Sequence, residues 1–261
     1  MLKFLIKITV PSLVIGSILI SGCSVANKLV DTQNEYERAV TKEILIHMDV
    51  ETMFPSTKLR ELAKAAGKGQ TSTIDKLIDE GVDVNAKGSQ NATALFWSMR
   101  NEKGFEYLLA KGADPNVVFA DGGTVMHWTA RKDKCNMLIS ALAYGGNPNL
   151  KGGMFDGSPA FATITAGRNN GVPACLDVLL KSGADIEFRD KYGKTLLLLA
   201  TDLARFDIAL YLLDQGANKN ATDSDGRSVI SLLNSYQDAF AKGSATEENW
   251  CKLKSRLSTV D

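Results

Sequence analysis

Two histidines, His47 and His127, and four cysteines, Cys23, Cys135, Cys175 and Cys251, are the residues of this 261-residue chain best suited to nucleophilic, acid–base or metal chemistry. A histidine becomes a useful base only with a nucleophile and an orienting group in reach. His47 stands among Ile44, Leu45 and Met48 without a nucleophile nearby. His127 lies in Thr124-Val125-Met126-His127-Trp128-Thr129-Ala130, where its ring can bond Thr124 of its own turn and the backbone of a neighbouring unit, a structural capping task. The chain carries no Gly-x-Ser-x-Gly elbow, no His-Glu-x-x-His and no phosphate-cradling glycine loop with lysine. Cys135, Cys175 and Cys251 are 40 and 76 residues apart, which fits no zinc motif. Asp190, Asp223 and Asp225 fall in turn sequences, where carboxylates cap backbone groups rather than build a calcium loop. We assign no catalytic residue, no metal site and no cofactor. What these residues can do is position backbone.

The elements they position recur. Gly81-Val82-Asp83-Val84-Asn85, Gly112-Ala113-Asp114-Pro115-Asn116, Gly145-Gly146-Asn147-Pro148-Asn149, Gly183-Ala184-Asp185-Ile186-Glu187 and Gly216-Ala217-Asn218-Lys219-Asn220 are five copies of one phrase, with gaps of 31, 33, 38 and 33 residues between their glycines. A fixed period in this range marks a stacked repeat array. Glycine after an apolar helical run closes the helix in the left-handed conformation. Asp or Asn two residues later bonds its own turn backbone. Eight or nine residues past each phrase stands a hydroxyl, Thr93, Thr124, Ser158, Thr195 or Ser228, suited to cap the next helix. The unit is therefore turn, helix, short connection, helix, turn.

Two motifs in phase make this pattern resemble the ankyrin repeat, whose consensus opens its first helix with Thr-Pro-Leu-His-x-Ala and follows its second with Gly-Ala-Asp-x-Asn. The resemblance covers roughly residues 58 to 235. Its best copy is Thr124 to Ala130, and only Ser158-Pro159 keeps the consensus proline. The fold it implies is all-α: a solenoid of about five helix pairs. Residues 58 to 80 lack the Thr-capped opening and read as an N-terminal cap. Residues 229 to 258 lose the phase and read as a C-terminal capping region, with 236–261 as a capping helix. Terminal units must differ because one face has no neighbour.

Residues 1–22 read as a signal peptide: Lys3 and Lys7, an apolar stretch, then Leu19-Ile20-Ser21-Gly22 before Cys23. The segment resembles the bacterial lipoprotein box. That resemblance implies cleavage before Cys23, lipidation of Cys23, and a mature chain that begins with an acylated cysteine and is held in the periplasm on a tether. The competing reading is an uncleaved anchor with an incidental cysteine. Ser24, by analogy with enteric bacteria, favours the outer membrane. The tether is 23–57. Within it Val40, Ile44, Leu45 and Met48 suit a short amphipathic helix that either spaces the array from the membrane or docks on it. Phe54-Pro55-Ser56 ends that helix.

Thirty basic residues balance thirty acidic ones and no basic block stands out, so the footprint of a nucleic-acid binder is missing. Cys135 and Cys175 lie near the starts of second helices in adjacent units. Stacked helices run about 8–10 Å apart, which favours two buried thiols over a disulfide unless the two are offset favourably. Cys251 is left over.

The connections between units form fingers. Lys87 to Gln90 and Thr222 to Asp225 are polar, as solvated fingers should be. The middle three carry Val118, Phe119, Met154, Phe155, Arg189 and Tyr192. Aromatic residues and Met beside Arg are the composition of an interface centre, and exposed apolar patches mark partners. These six are the partner-binding candidates. The alternative is that the degenerate units bury them locally. The longest unit carries its excess near 166–173, between its helices, where an insertion is tolerated. The partner is a protein, with membrane contact through the N-terminal lipid only. Among periplasmic ankyrin lipoproteins, the chain resembles immunity proteins that neutralise toxins such as phospholipases delivered by type VI secretion. A housekeeping envelope scaffold is the rival. Met154→Asp combined with Phe155→Asp is expected to weaken partner binding while leaving the far-UV helical signal intact. Unchanged affinity would remove the middle fingers from the interface.

Overall fold

The computed structural model describes residues 49–153, 156–166 and 171–258. Cys23, His47 and the Val40–Met48 segment lie outside the described residues, as do Met154, Phe155 and residues 167–170 of the 166–173 insertion. Helices are short and come in pairs: α1 (Val50–Met53) leads into α2 (Thr57–Gly67) and α3 (Thr71–Asp79), then α4 (Ala94–Ser98) and α5 (Glu102–Ala110), α6 (Val125–Ala130) and α7 (Asn136–Ala143), α8 (Pro159–Thr165) and α9 (Ala174–Lys181), α10 (Leu196–Asp202) and α11 (Phe206–Asp214), α12 (Val229–Asn234) and α13 (Ala245–Ser258). No strand forms among the described residues, only isolated bridges in two fingers, Gly152 to Gly157 and Thr222 to Ser228.

The recurrent phrase works as its residue types dictate. Its five glycines sit at φ +86° to +90°, where a Cβ would be strained. The Asp or Asn two residues on accepts a bond from the backbone N–H two further, at 2.8–2.9 Å in every copy. Thr93, Thr124, Thr195 and Ser228 cap the following helices through their hydroxyls. Ser158 does not. The Phe161 N–H that its hydroxyl could take is bonded to the Ser158 carbonyl instead, and Oγ is buried without a partner.

First helices stack along one side, α2 on α4, α6 on α8, α8 on α10 and α10 on α12, and α3, α5 and α7 stack behind them. One continuous apolar core runs between the layers. Small residues allow close approach: a Cβ on Gly104 would lie 1.8 Å from the Ala66 carbonyl oxygen, so α5 meets α2 backbone to backbone. Tyr107 OH donates to Asp75 and Tyr211 OH to Asp177, tying successive second helices. At the start of the described residues Met53 and Phe54 are buried against the first pair, so residues 50–54 dock on the array. At the C-terminus Phe206, Tyr236 and Phe240 pack ring on ring, and Leu253 of α13 is fully buried.

The cysteine expectation is corrected. Cys135 and Cys175 form a disulfide, with Cα atoms 5.4 Å apart. Cys135 is the residue before α7 and Cys175 is the second residue of α9. Bonding at the helix starts, rather than mid-helix, supplies the offset that axis spacing alone does not. Cys251 is free and exposed. A cross-link closing a loop of this size stabilises by roughly 4 kcal/mol in the chain-entropy account. Cys135→Ser with Cys175→Ser is therefore expected to lower the urea midpoint clearly, and reductant to do the same to the parent chain only. Equal midpoints for the parent with and without reductant would contradict this.

Candidate partner-binding surface

The fingers are hairpins of one design. Asp190 N–H donates to the Lys194 carbonyl and Asp223 N–H to that of Arg227, both at 3.1 Å. Each aspartate then turns inward, 7% and 6% exposed, and accepts two backbone N–H bonds across its own turn. Phe119 occupies the equivalent position, its N–H donating to the Gly123 carbonyl at 2.9 Å. It too turns inward. Its ring is 3% exposed and meets Phe96 of α4 at 4.9 Å, centroid to centroid. Phe119 is thus withdrawn from the exposed candidates: it fills the base of its finger with apolar surface where other fingers use a bonded carboxylate. Counting from the end of each phrase would have shown the shared register.

The other candidates divide. Val118 is 43% and Tyr192 39% exposed, so both offer apolar surface. Arg189 spends one nitrogen on bracing, its Nη1 donating to the carbonyls of Gly193 and Thr222 at 2.6 and 2.7 Å. That clamps the last two fingers side by side. No described contact joins Val118 to Tyr192.

A recess that the candidates do not line opens between α6 and α8 beneath the second and third fingers. It is a shallow, solvent-open depression whose ≈ 480 Å³ of atom-free space includes open solvent. Its walls are Asp121, Trp128 and Arg131 from one unit, Ser158, Phe161 and Thr165 from the next, with finger glycines between. His127 forms its floor. Thr124 Oγ1 lies 3.0 Å from His127 Nδ1, and His127 Nε2 lies 3.2 Å from the Gly157 carbonyl. The carbonyl accepts only, so Nε2 carries the proton and Nδ1 accepts from the threonine. This is the capping role read from the sequence, extended across the unit boundary. Burial pushes the His127 pKa down from 6.5 to about 4.

Asp121 differs from Asp223 of the last finger. Arg227 pairs with Asp223 at 2.8 Å. Asp121 accepts one bond, from Gly123 N–H at 2.8 Å, and pairs with no cation among the described residues. Burial raises its pKa, with only backbone N–H groups opposing that. A Cβ on Gly123 would meet Asp121 Oδ1 at 3.2 Å and Trp128 Nε1 at 3.4 Å, so carboxylate and indole flank one spot. In sequence, Asp121 read as a finger residue and Trp128 as part of the helix-opening motif. The visible signal was an aspartate beside two glycines with no basic residue in its own finger. Among the described residues no group of His, Cys, Asp and Glu could hold a metal, and no described helix is long and apolar enough to cross a membrane.

The stacked helix pairs have counterparts in known proteins. The profile of the family described as ankyrin repeats (3 copies) matches residues 62–152 and 126–223, more than half of the chain. The chain belongs to the ankyrin-repeat family. An ankyrin repeat protein of Acanthamoeba polyphaga mimivirus is 28% identical over 105 residues, 39% of this chain and 64% of its own length. Protein phosphatase 1 regulatory subunit 27 of Homo sapiens is 46% identical over 52 residues, 20% of this chain and 34% of its own. This ankyrin chain therefore spans less than two thirds of either relative. An ankyrin repeat domain from Acinetobacter baumannii shares the fold, with a TM-score of 0.62 at 19% identity, covering 75% of this chain and 95% of that one. Protein binding is the role that such repeats suggest.

The His127 bridge makes a pH prediction. Its folded pKa lies below the unfolded value, so the unfolded chain takes up the proton first as pH falls. The stability it gives is whole above pH 6.5 and is lost towards about pH 4. At about 1.4 kcal/mol per unit, the loss is on the order of 3 kcal/mol. Urea midpoints of the parent should fall more steeply across this window than those of His127→Asn. Parallel profiles would show that the ring is not held neutral.

Proposed function

We propose that this chain is a non-catalytic, lipid-anchored binding protein of the bacterial envelope, an immunity protein that binds and blocks a periplasm-targeted toxin such as a type VI secretion phospholipase. The observation that carries the binding reading is the recess: a half-buried carboxylate without a cation, beside an indole, on a scaffold fixed before any partner arrives. Pre-organised surface loses little entropy on binding. The address rests on Lys3, Lys7 and the Leu19 to Cys23 run, with Cys23 as the lipid-bearing residue. The Cys135–Cys175 bond supports an oxidising compartment, because such bonds persist there and are rare in reducing ones. The human relative is named a regulatory subunit of protein phosphatase 1, and the proposal gives this array a comparable relation to an enzyme.

The test is deletion of the gene, followed by dense co-culture of the mutant with its parent while the secretion system fires. The mutant should be killed and should be rescued by the lipoprotein returned to the periplasm. Equal survival would favour a scaffold with an endogenous partner instead.

A further inference from the structure

The recess has the composition of a socket for a single charged side chain. Its one carboxylate, Asp121, is half-buried and unneutralised. Trp128 lines the same recess, its Nε1 and the Asp121 carboxylate flanking Gly123, and an indole ring is the aromatic surface that best takes a cation. At the wall stands Ser158, wholly buried, with a hydroxyl that has no hydrogen-bond partner. The N–H it could cap is already bonded to the serine carbonyl, and the other Thr and Ser helix caps use their hydroxyls. The backbone between these groups is glycine, which admits close approach: Gly152 packs so tightly that a Cβ there would meet the Gly122 carbonyl oxygen at 2.1 Å. Arg131 also lines the recess, 5.9 Å from the Trp128 ring centroid, and makes no described ion pair with Asp121.

We infer that this recess receives a lysine or arginine side chain of the protein partner, its charge paired with Asp121 and its stem lying on Trp128. The inference rests on the protein-binding reading and names what that surface recognises. An acidic or apolar residue is disfavoured, since either would leave Asp121 desolvated and unpaired. The opening to solvent suits one side-chain end entering from a partner surface rather than an enclosed metabolite.

The experiment uses the mature chain, disulfide intact and labelled with nitrogen-15 at tryptophan. The probes are acetyl-arginine amide and acetyl-lysine amide, with acetyl-norleucine amide and acetyl-glutamate amide as controls. The Trp128 indole signal, assigned by Trp128→Phe, should shift saturably with the two basic probes, with Kd in the roughly millimolar range expected of so small a ligand. The Trp97 and Trp250 signals should stay still. Asp121→Asn keeps the acceptor for Gly123 N–H and removes only the charge, so it should fold normally and bind roughly tenfold more weakly. Absence of a shift with the basic probes, an equal shift with norleucine, or undiminished affinity in Asp121→Asn would overturn the inference. None of these touches the co-culture result, which tests the toxin reading separately. Killing of the deletion mutant alongside a silent recess would leave immunity standing and this socket refuted.

Discussion

The array depends on one side chain doing two jobs across each unit boundary. Asn85 Nδ2 donates to the Gly112 carbonyl while its Oδ1 accepts from Asp114 N–H. Asn116 bonds Gly145 and Asn147 in the same way, and Asn149 bonds Gly183 and Asp185, all at 2.7–3.0 Å. An amide alone among short side chains carries donor and acceptor on one planar head, so each phrase is locked to the next in position and direction. Individual rungs are exposed and each is worth only about 1 kcal/mol. Their effect is geometric: the repeat spacing is held whatever the intervening finger does. Glu187, at the fourth rung, can only accept, and it takes Asn218 N–H at 2.7 Å without reaching back to a carbonyl. The half-rung falls where the last finger is braced by Arg189 and where the ring cluster of Phe206, Tyr236 and Phe240 begins to close the core.

That rule explains which parts of the fold could be read in advance. Closing glycines, Asx turns and hydroxyl caps act within a few residues, and their chemistry is carried by residue type and spacing. The His127 bridge was legible for the same reason, since its partner at Thr124 is local and the far one is at a fixed repeat distance. The disulfide was less so. Whether Cys135 meets Cys175 turns on a displacement of a few ångström along neighbouring helices, and spacing in sequence does not encode it. Phe119 shows a different limit. An aromatic residue in a finger resembles a docking residue, but its environment is set by register, which places it with the inward Asp190 and Asp223.

The surface features were partly legible for a physical reason too. Val118 and Tyr192 are exposed because their register points them out, and side-chain type alone flagged both. Asp121 could not be flagged by type, since finger carboxylates are ordinary here. Its distinction from Asp223 is an absence: no described arginine pairs with it as Arg227 pairs with Asp223. A missing counter-ion is a three-dimensional property.

Regularity and recognition are divided between the two edges of each unit. Where the phrase recurs faithfully, bonds are saturated and little is left to offer. The recess forms where the pattern lapses, between the second finger and the longer third one. There Phe119 and Gly152 stand where the later fingers have a buried carboxylate, the Ser158 hydroxyl caps nothing, and the His127 ring spans the gap to Gly157. Gly157 also takes the Gly152 N–H, so one carbonyl ties both the finger and the inner helix of the preceding unit. The irregular finger is therefore tied at its base: Gly157 accepts from Gly152 N–H at 2.9 Å and from His127 Nε2 at 3.2 Å. A site so built keeps its unpaired groups in place at the cost of stability, and the cross-linked, amide-laddered units on either side supply what it gives up.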